Sequence, residues 1–136
     1  MDATVAEQQI KYPNDLELLN DSRQISEELI DKLYKITGMA KKPRTYRRIA
    51  RKEFLSVAKK KKKSRKELRK SIGKQLGYLS RNFGYIETML DQIGTKQFPL
   101  PAKYQRKYWI IQELYRQQKQ MYDEKSHSCS DRIVSI

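Results

Sequence analysis

Apolar residues recur at steps of three and four along most of the chain, a pattern that predicts amphipathic helices. The first helix is expected to begin at Pro13 and to end at Gly38, since glycine commonly terminates helices. Its apolar positions are Leu19, Ile25 or Ser26, Leu29, Ile30, Leu33 and Ile36. Residues 1–12 lack this spacing and are expected to be irregular, with one short extended piece.

A second helix is predicted over residues 46–63, with two faces of opposite character. The apolar face carries Tyr46, Ile49, Ala50, Phe54, Val57 and Ala58. The polar face carries Arg44, Arg47, Arg48, Arg51, Lys52 and Lys59. The pattern therefore indicates an amphipathic helix whose polar face is almost purely cationic.

Two long helices are predicted near 64–92 and 101–124, separated by a loop over 94–101. Ser64 and Glu67 have the spacing of a capping box, which marks the start of the third helix. Its apolar positions are Leu68, Ile72, Leu76, Leu79, Phe83, Ile86 and Leu90. The core stripe of the fourth helix is Tyr104, Tyr108, Ile111, Tyr115, Gln118 and Tyr122. The short connection predicts that the two helices pack as an antiparallel hairpin.

Small residues form a separate stripe on the third helix, at Gly73, Gly77, Ser80 and Gly84. A glycine inside a helix costs roughly 1 kcal/mol relative to alanine. The stripe therefore predicts a face packed closely against another helix, where a Gly77→Leu substitution would destabilise the fold by overpacking.

Charge is concentrated in one segment of the chain. The 136 residues carry a net charge of +14, and the segment from Lys41 to Lys74 holds 17 Lys and Arg against two acids. The remainder is nearly neutral. A local excess of this size favours a polyanionic partner. The candidate nucleic-acid-binding residues are Lys41, Lys42, Arg44, Arg47, Arg48, Arg51, Lys52, Lys59, Lys60, Lys61, Lys62, Lys63, Arg65 and Lys66.

The run from Lys59 to Lys63 has three interpretations. It is a solvated helix end, a nuclear-targeting signal, or a phosphate-contacting extension of the cationic helix face. We favour the last, because the run continues the cationic face of the second helix. A membrane-surface binder is disfavoured, since the helix lacks Trp or Leu anchors on a broad apolar face.

Other kinds of site find little support in the sequence. One cysteine cannot form an internal disulfide and suits a reducing cytoplasm. His127 and Cys129 have no second Cys/His pair, so a zinc site is disfavoured. No glycine-rich phosphate loop occurs, and no stretch of 18 apolar residues indicates a membrane span. The tyrosines follow a core stripe and are disfavoured as nucleophiles.

Several segments together resemble the catalytic domain of bacterial insertion-sequence transposases of the DDE type. The first is DATVAEQQIKYPNDLELLNDSR, at residues 2–23. The others, in order, are KKPRTYRRIARK at 41–52, GKQLGYL at 73–79, ELYRQQKQMY at 113–122 and DRIVSI at 131–136. The resemblance covers nearly the whole chain and rests on the order and spacing of these segments.

The resemblance implies that Asp2 is the first carboxylate of a catalytic Asp-Asp-Glu triad and a ligand of Mg²⁺. The fold it implies is mainly α, with long antiparallel helices inserted in an RNase H-like core. Residues 1–12 would follow the first core strand, residues 13–125 would form the helical region, and residues 131–136 would begin the next strand. The second Asp and the Glu are expected beyond this chain, which is thus expected to be a fragment.

The function that the resemblance implies is DNA cleavage and strand transfer by the complete enzyme, with two Mg²⁺ ions held by the three carboxylates. The fragment alone is expected to bind DNA, to be inactive, and to hold no metal ion stably. It is expected in the bacterial cytoplasm, and a homo-oligomer is a possible state. The alternative is a basic helical module that binds DNA or RNA without enzymatic activity. An upstream or downstream reading frame that supplies the missing strand and carboxylates would decide for the transposase.

Overall fold

The computed structural model describes the backbone of residues 3–136 and the side chains from Asp15 onward. Four helices make up the fold: α1 (Ala3–Thr37), α2 (Arg47–Ala58), α3 (Arg65–Ile93) and α4 (Ala102–Glu124). Residues 3–136 contain no β-strand. The prediction of a mainly α-helical fold is confirmed.

The helices alternate in direction, and α1 and α3 form the central pair. The Arg23 side chain of α1 reaches Gln75 of α3, and Ser26 accepts a hydrogen bond from Asn82, so α1 and α3 run parallel. Helix α4 is antiparallel to both, since Gln118, near its end, donates to Asp15 in α1. Helix α2 lies on the opposite side of the central pair and does not contact α4 within the described residues.

Two apolar clusters fill the space between the helices. The first contains Leu16, Leu18, Leu19, Leu68, Ile72, Leu76, Leu79 and Leu114. The second, at the other end, contains Leu29, Ile30, Leu33, Ile86, Met89, Tyr104, Tyr108 and Ile111. The half-buried Phe83 ring packs against both clusters and meets Tyr108 and Tyr115 edge to face. Most of the apolar positions read from the sequence therefore lie in the core, but Ile36, Tyr46 and Ile49 were predicted wrongly, since they are 47%, 38% and 52% exposed.

A polar layer is buried beside these clusters. Arg23 is 1% exposed, and its guanidinium donates to Glu27, to Asn20 (2.6 Å) and to Gln75 (2.8 Å). Gln75 in turn donates to the carbonyl oxygen of Ala50 (3.0 Å). This chain of hydrogen bonds fixes α1, α2 and α3 relative to one another.

The predicted boundaries of the third and fourth helices hold to within a residue or two. The Ser64 hydroxyl accepts from the backbone N–H of Glu67 (3.1 Å), and the Glu67 carboxylate accepts from the N–H of Ser64 (3.5 Å). The capping box is therefore present. Gly38 and Gly94, just beyond α1 and α3, have positive φ angles of 68° and 67°, as helix-terminating glycines commonly do.

Two other helix boundaries were predicted wrongly. Helix α1 begins at Ala3 and includes Pro13: the φ of proline is compatible with a helix, although the residue lacks an N–H donor and its ring crowds the carbonyl group four residues earlier. Helix α2 ends at Ala58, so Lys59–Lys63 form the connection to α3. Adjacent lysines repel one another, and Ser64 must leave the helical conformation to cap α3.

The expected strand over 131–136 is also absent. The side-chain amide of Gln117 donates to the carbonyl oxygen of Asp131 (2.9 Å) and accepts from the N–H of Ile133 (2.8 Å). A single glutamine side chain thus satisfies two backbone groups of this segment that a neighbouring strand could have paired.

The small-residue stripe does not form a close-packed face, which overturns the sequence interpretation. A Cβ atom placed on Gly77 or on Gly84 would have no atom within 4 Å, and both residues and Ser80 are exposed. Only Gly73 faces a neighbour, because a Cβ there would lie 2.7 Å from the Tyr122 hydroxyl.

Because the space around Gly77 is open, a larger side chain there is expected to stabilise the fold and not to destabilise it by overpacking. We expect Gly77→Ala to raise the free energy of unfolding by about 0.5–1 kcal/mol, because alanine has the better helix propensity and meets no neighbour. Gly73→Ala is the matched control and is expected to give a smaller gain or a loss. Urea denaturation followed by circular dichroism measures both, and a destabilised Gly77→Ala variant would contradict the assignment of this face to solvent.

Candidate nucleic-acid interface

The outer surface of α2 presents a group of cations that are not used inside the fold. Arg48, Arg51, Lys52 and Lys59 are exposed and share a groove of about 410 Å³ with Leu55 and Ser56. None of these four cations is within salt-bridge distance of a carboxylate among residues 15–136. We call these four residues the α2 cationic face.

Other predicted contact residues are held by carboxylates instead. The Arg47 guanidinium binds Asp31 through two hydrogen bonds of 2.8 and 3.2 Å, and Lys42 pairs with the same carboxylate. Lys60 pairs with Glu67. These three cations are therefore less available to an outside anion than the sequence suggested.

The shared carboxylate of Asp31 is ionised at neutral pH. Burial raises its pKa, but the hydrogen bonds and charges of Arg47 and Lys42 outweigh burial and hold the pKa below 3.8. The stability gained from these pairs is present above pH 3.8 and is lost as the pH falls through the lowered pKa.

The remaining predicted residues surround the α2 cationic face on two connections and at the start of α3. Lys41 and Arg44 precede α2, while Lys61 and Lys62 lie in the loop after it, and all four are exposed. Lys63 is half-buried and donates to the carbonyl oxygen of Lys60 (2.6 Å). Arg65 and Lys66 are exposed on the first turn of α3.

Two residues predicted for the core are exposed within this cationic region. Tyr46 is 38% and Ile49 is 52% exposed, although both belong to the apolar stripe of α2. Arg81 of α3, which the sequence did not indicate as a site residue, lies with its guanidinium carbon 5.3 Å from the centre of the Tyr46 ring. No sequence signal pairs these two residues, since 35 positions separate them.

A separate cavity of about 400 Å³ lies near the start of α3 and the end of α4 and is lined in part by Arg65, Arg69 and Lys125. The Arg69 guanidinium donates to the Tyr122 carbonyl oxygen (2.8 Å) and lies 3.9 Å from the centre of the Tyr122 ring. Its charge is therefore already used within the fold. Asp15, which also lines the cavity, forms a buried salt bridge with Arg132.

The residue expected to bind Mg²⁺, Asp2, lies outside the described residues. Within the described part of the chain, no group of three or more His, Cys, Asp or Glu side chains is placed to hold a metal ion. None of the described helices is long and apolar enough to cross a membrane.

Comparison of the chain with known proteins gives no relative. No family model, curated protein or solved structure matches it. The relation to DDE-type transposases stays a prediction from the sequence.

Proposed function

We propose that this chain binds DNA through phosphate contacts made by the α2 cationic face, without reading base sequence. The observation that carries the proposal is a set of cations that share one exposed groove and have no salt-bridge partner among residues 15–136, namely Arg48, Arg51, Lys52 and Lys59. Cations on a helix surface contact backbone phosphates and release condensed counterions, which gives salt-dependent binding. Outside residues 41–74 the chain holds 13 Lys and Arg against 14 acids, so the excess of positive charge is local.

The matched cations of α4 provide a control for the test. Arg48→Gln, Arg51→Gln and Lys52→Gln together remove three charges from the α2 cationic face. Lys103→Gln, Arg106→Gln and Lys107→Gln remove the same number from α4, on the opposite side of the central helix pair. Both sets leave the buried polar layer untouched.

We expect the α2 triple variant to flatten the dependence of log affinity on log salt by about 2.7, or about 0.9 for each phosphate that the protein no longer neutralises. Fluorescence anisotropy of a labelled duplex across a salt series measures this slope. The α4 triple variant should keep most of the wild-type slope. Equal flattening by both variants would mean that binding is spread over the whole surface and would overturn the proposal.

We further propose, from the sequence resemblance, that this bundle is the helical region of a DDE-type transposase catalytic domain. The complete enzyme would cleave and join DNA with Mg²⁺ held by three carboxylates, of which Asp2 is the one assigned in this chain. One carboxylate is a poor ligand set for a pair of Mg²⁺ ions, which prefer several oxygen ligands in octahedral geometry.

The chain by itself is therefore expected to bind DNA without cutting it. The measurement is nicking of supercoiled DNA in the presence of Mg²⁺ or Mn²⁺, with an Asp2→Ala variant alongside. Metal-dependent nicking that disappears in Asp2→Ala would show that the chain assembles a metal site without the other two carboxylates.

A further inference from the structure

An exposed aromatic ring lies beside the α2 cationic face, where the sequence predicts a core residue. Tyr46 is the N-cap residue of α2 and has φ 56° and ψ 33°, in the left-handed region. A non-glycine residue pays a steric cost in this region, so neighbouring contacts must hold it there. They do: Thr45 is buried, Arg47 is fixed by Asp31, and the Tyr46 carbonyl oxygen accepts from the N–H of Ala50 (2.9 Å).

The Tyr46 ring is accompanied by two guanidinium groups. The guanidinium carbons of Arg44 and Arg81 lie 5.7 and 5.3 Å from the ring centre, and both side chains belong to exposed residues. Neither forms a salt bridge with a carboxylate among residues 15–136. Both guanidinium groups are thus within cation–π range of the ring, and both keep donors available to a phosphate.

Ile49 extends this patch by one helical turn. Its side chain is 52% exposed, between the cations Arg48 and Arg51. An aromatic ring and an aliphatic side chain inside a strongly cationic field are chemically unlike a site for phosphate alone. The aromatic and aliphatic side chains suit contact with flat apolar groups, and the surrounding cations suit contact with negative charges, so the patch fits a ligand in which the two alternate.

We propose that Tyr46 is a stacking platform for an unpaired base of single-stranded DNA, with Arg44 and Arg81 contacting the adjacent phosphates. This inference rests on the proposed function and specifies its ligand. In a duplex the bases are already stacked on one another, so a duplex offers only its phosphates to this surface. Bases of single strands stack on aromatic side chains and on guanidinium planes, and they do so with little sequence preference.

Three probes with the same number of phosphates separate stacking from charge. They are an oligothymidylate of about 12 nucleotides, an abasic oligonucleotide of equal length, and a duplex with the same total number of phosphates. We expect Tyr46→Leu to weaken binding of the oligothymidylate by about 5–150-fold, the range for one stacked base, and to leave binding of the abasic strand and the duplex unchanged. Tyr46→Phe, which keeps the ring, should retain wild-type affinity for all three probes.

Fluorescence gives a second readout that does not depend on affinity. In a Trp109→Phe background, Tyr46→Trp places the single indole of the protein at this position. Stacking predicts quenching by the oligothymidylate and little change with the abasic strand. If Tyr46→Leu lowers the helical circular dichroism signal, Tyr46→Asn replaces it, since asparagine tolerates the left-handed conformation.

The outcomes distinguish the stacking proposal from the DNA-binding proposal. If the α2 triple variant weakens all three probes while Tyr46→Leu, or Tyr46→Asn in its place, has no effect or weakens them equally, the stacking proposal fails and DNA binding stands. If wild-type protein binds none of the probes, or the α2 triple variant binds as tightly as wild type, the DNA-binding proposal itself fails.

Discussion

Replacing Glu27 with alanine is expected to lower the free energy of unfolding by about 3–5 kcal/mol. Glu27 is the only carboxylate that pairs with Arg23 among the described residues, and the two side chains are 7% and 1% exposed. Without Glu27, Arg23 keeps its hydrogen bonds to Asn20 and Gln75, but its charge is buried without a counter-ion. Burying an unpaired charge is far more costly than losing a surface ion pair.

The control is the next residue in the chain, Glu28, which is exposed. Glu28→Ala should change stability by less than about 0.5 kcal/mol. Urea denaturation of both variants, read as the transition midpoint at constant m, gives the comparison. A Glu27→Ala destabilisation no larger than that of Glu28→Ala would show that water reaches Arg23 and that the polar layer is not sealed.

Removing both charges should destabilise the fold less than removing the carboxylate alone. Burial raises the pKa of Glu27, and the charge and hydrogen bond of Arg23 offset only part of that increase. Desolvation therefore opposes the ion pair even when it is intact. The double variant Arg23→Met and Glu27→Leu is expected to be less destabilised than Glu27→Ala, because no charge is left buried, but to stay below wild type, because the buried side-chain oxygens of Asn20 and Gln75 lose their donor.

Buried polar contacts between helices show where the sequence stops predicting the fold. Periodicity located Leu19, Leu29, Ile30 and Leu33 correctly, because burial of apolar side chains dominates helix packing. It left Ile25 or Ser26 open at one position, where the structure buries Ser26 and half-buries Ile25. Ser26 is buried because Asn82 of α3 donates to it, at 2.9 Å. Polar partners of this kind are distant in sequence and leave no periodic signal.

The candidate interface was predictable as a region but not residue by residue. The excess of Lys and Arg between residues 41 and 74 locates it, since charge is a property of composition. Which cations pair with acids depends on how the helices pack. Arg47 pairs with Asp31, whereas the adjacent Arg48 has no salt-bridge partner among residues 15–136. The exposure of Tyr46 depends on a left-handed backbone angle that a stripe of apolar residues does not reveal.

The pairing at Asp31 has a functional consequence. This carboxylate binds both Lys42 and Arg47, and it lies on α1 beside the start of α2. A phosphate approaching α2 must therefore compete with Asp31 for these two cations. Asp31 is 34% exposed, so the pairs are partly screened and each stabilises the fold by no more than about 1 kcal/mol. The protein can lose them and remain folded.

We accordingly expect Asp31→Asn to bind duplex DNA more tightly than wild type. Asparagine keeps the size of the side chain and one acceptor for Arg47 but removes the charge that holds both cations. Release of Lys42 and Arg47 should steepen the salt dependence of log affinity by up to about 1.8, at about 0.9 for each additional phosphate that is neutralised. Anisotropy titrations at several salt concentrations measure both the affinity and the slope.

Asp21→Asn is the matched control, because it makes the same charge change at an exposed position of α1 where no described cation forms a salt bridge with the carboxylate. A general charge effect would raise affinity equally in both variants with little change in slope. A steeper slope in Asp31→Asn alone identifies the released pair. Weaker binding by Asp31→Asn would show instead that Asp31 positions the start of α2 for DNA, so that orientation of the helix outweighs two additional charges.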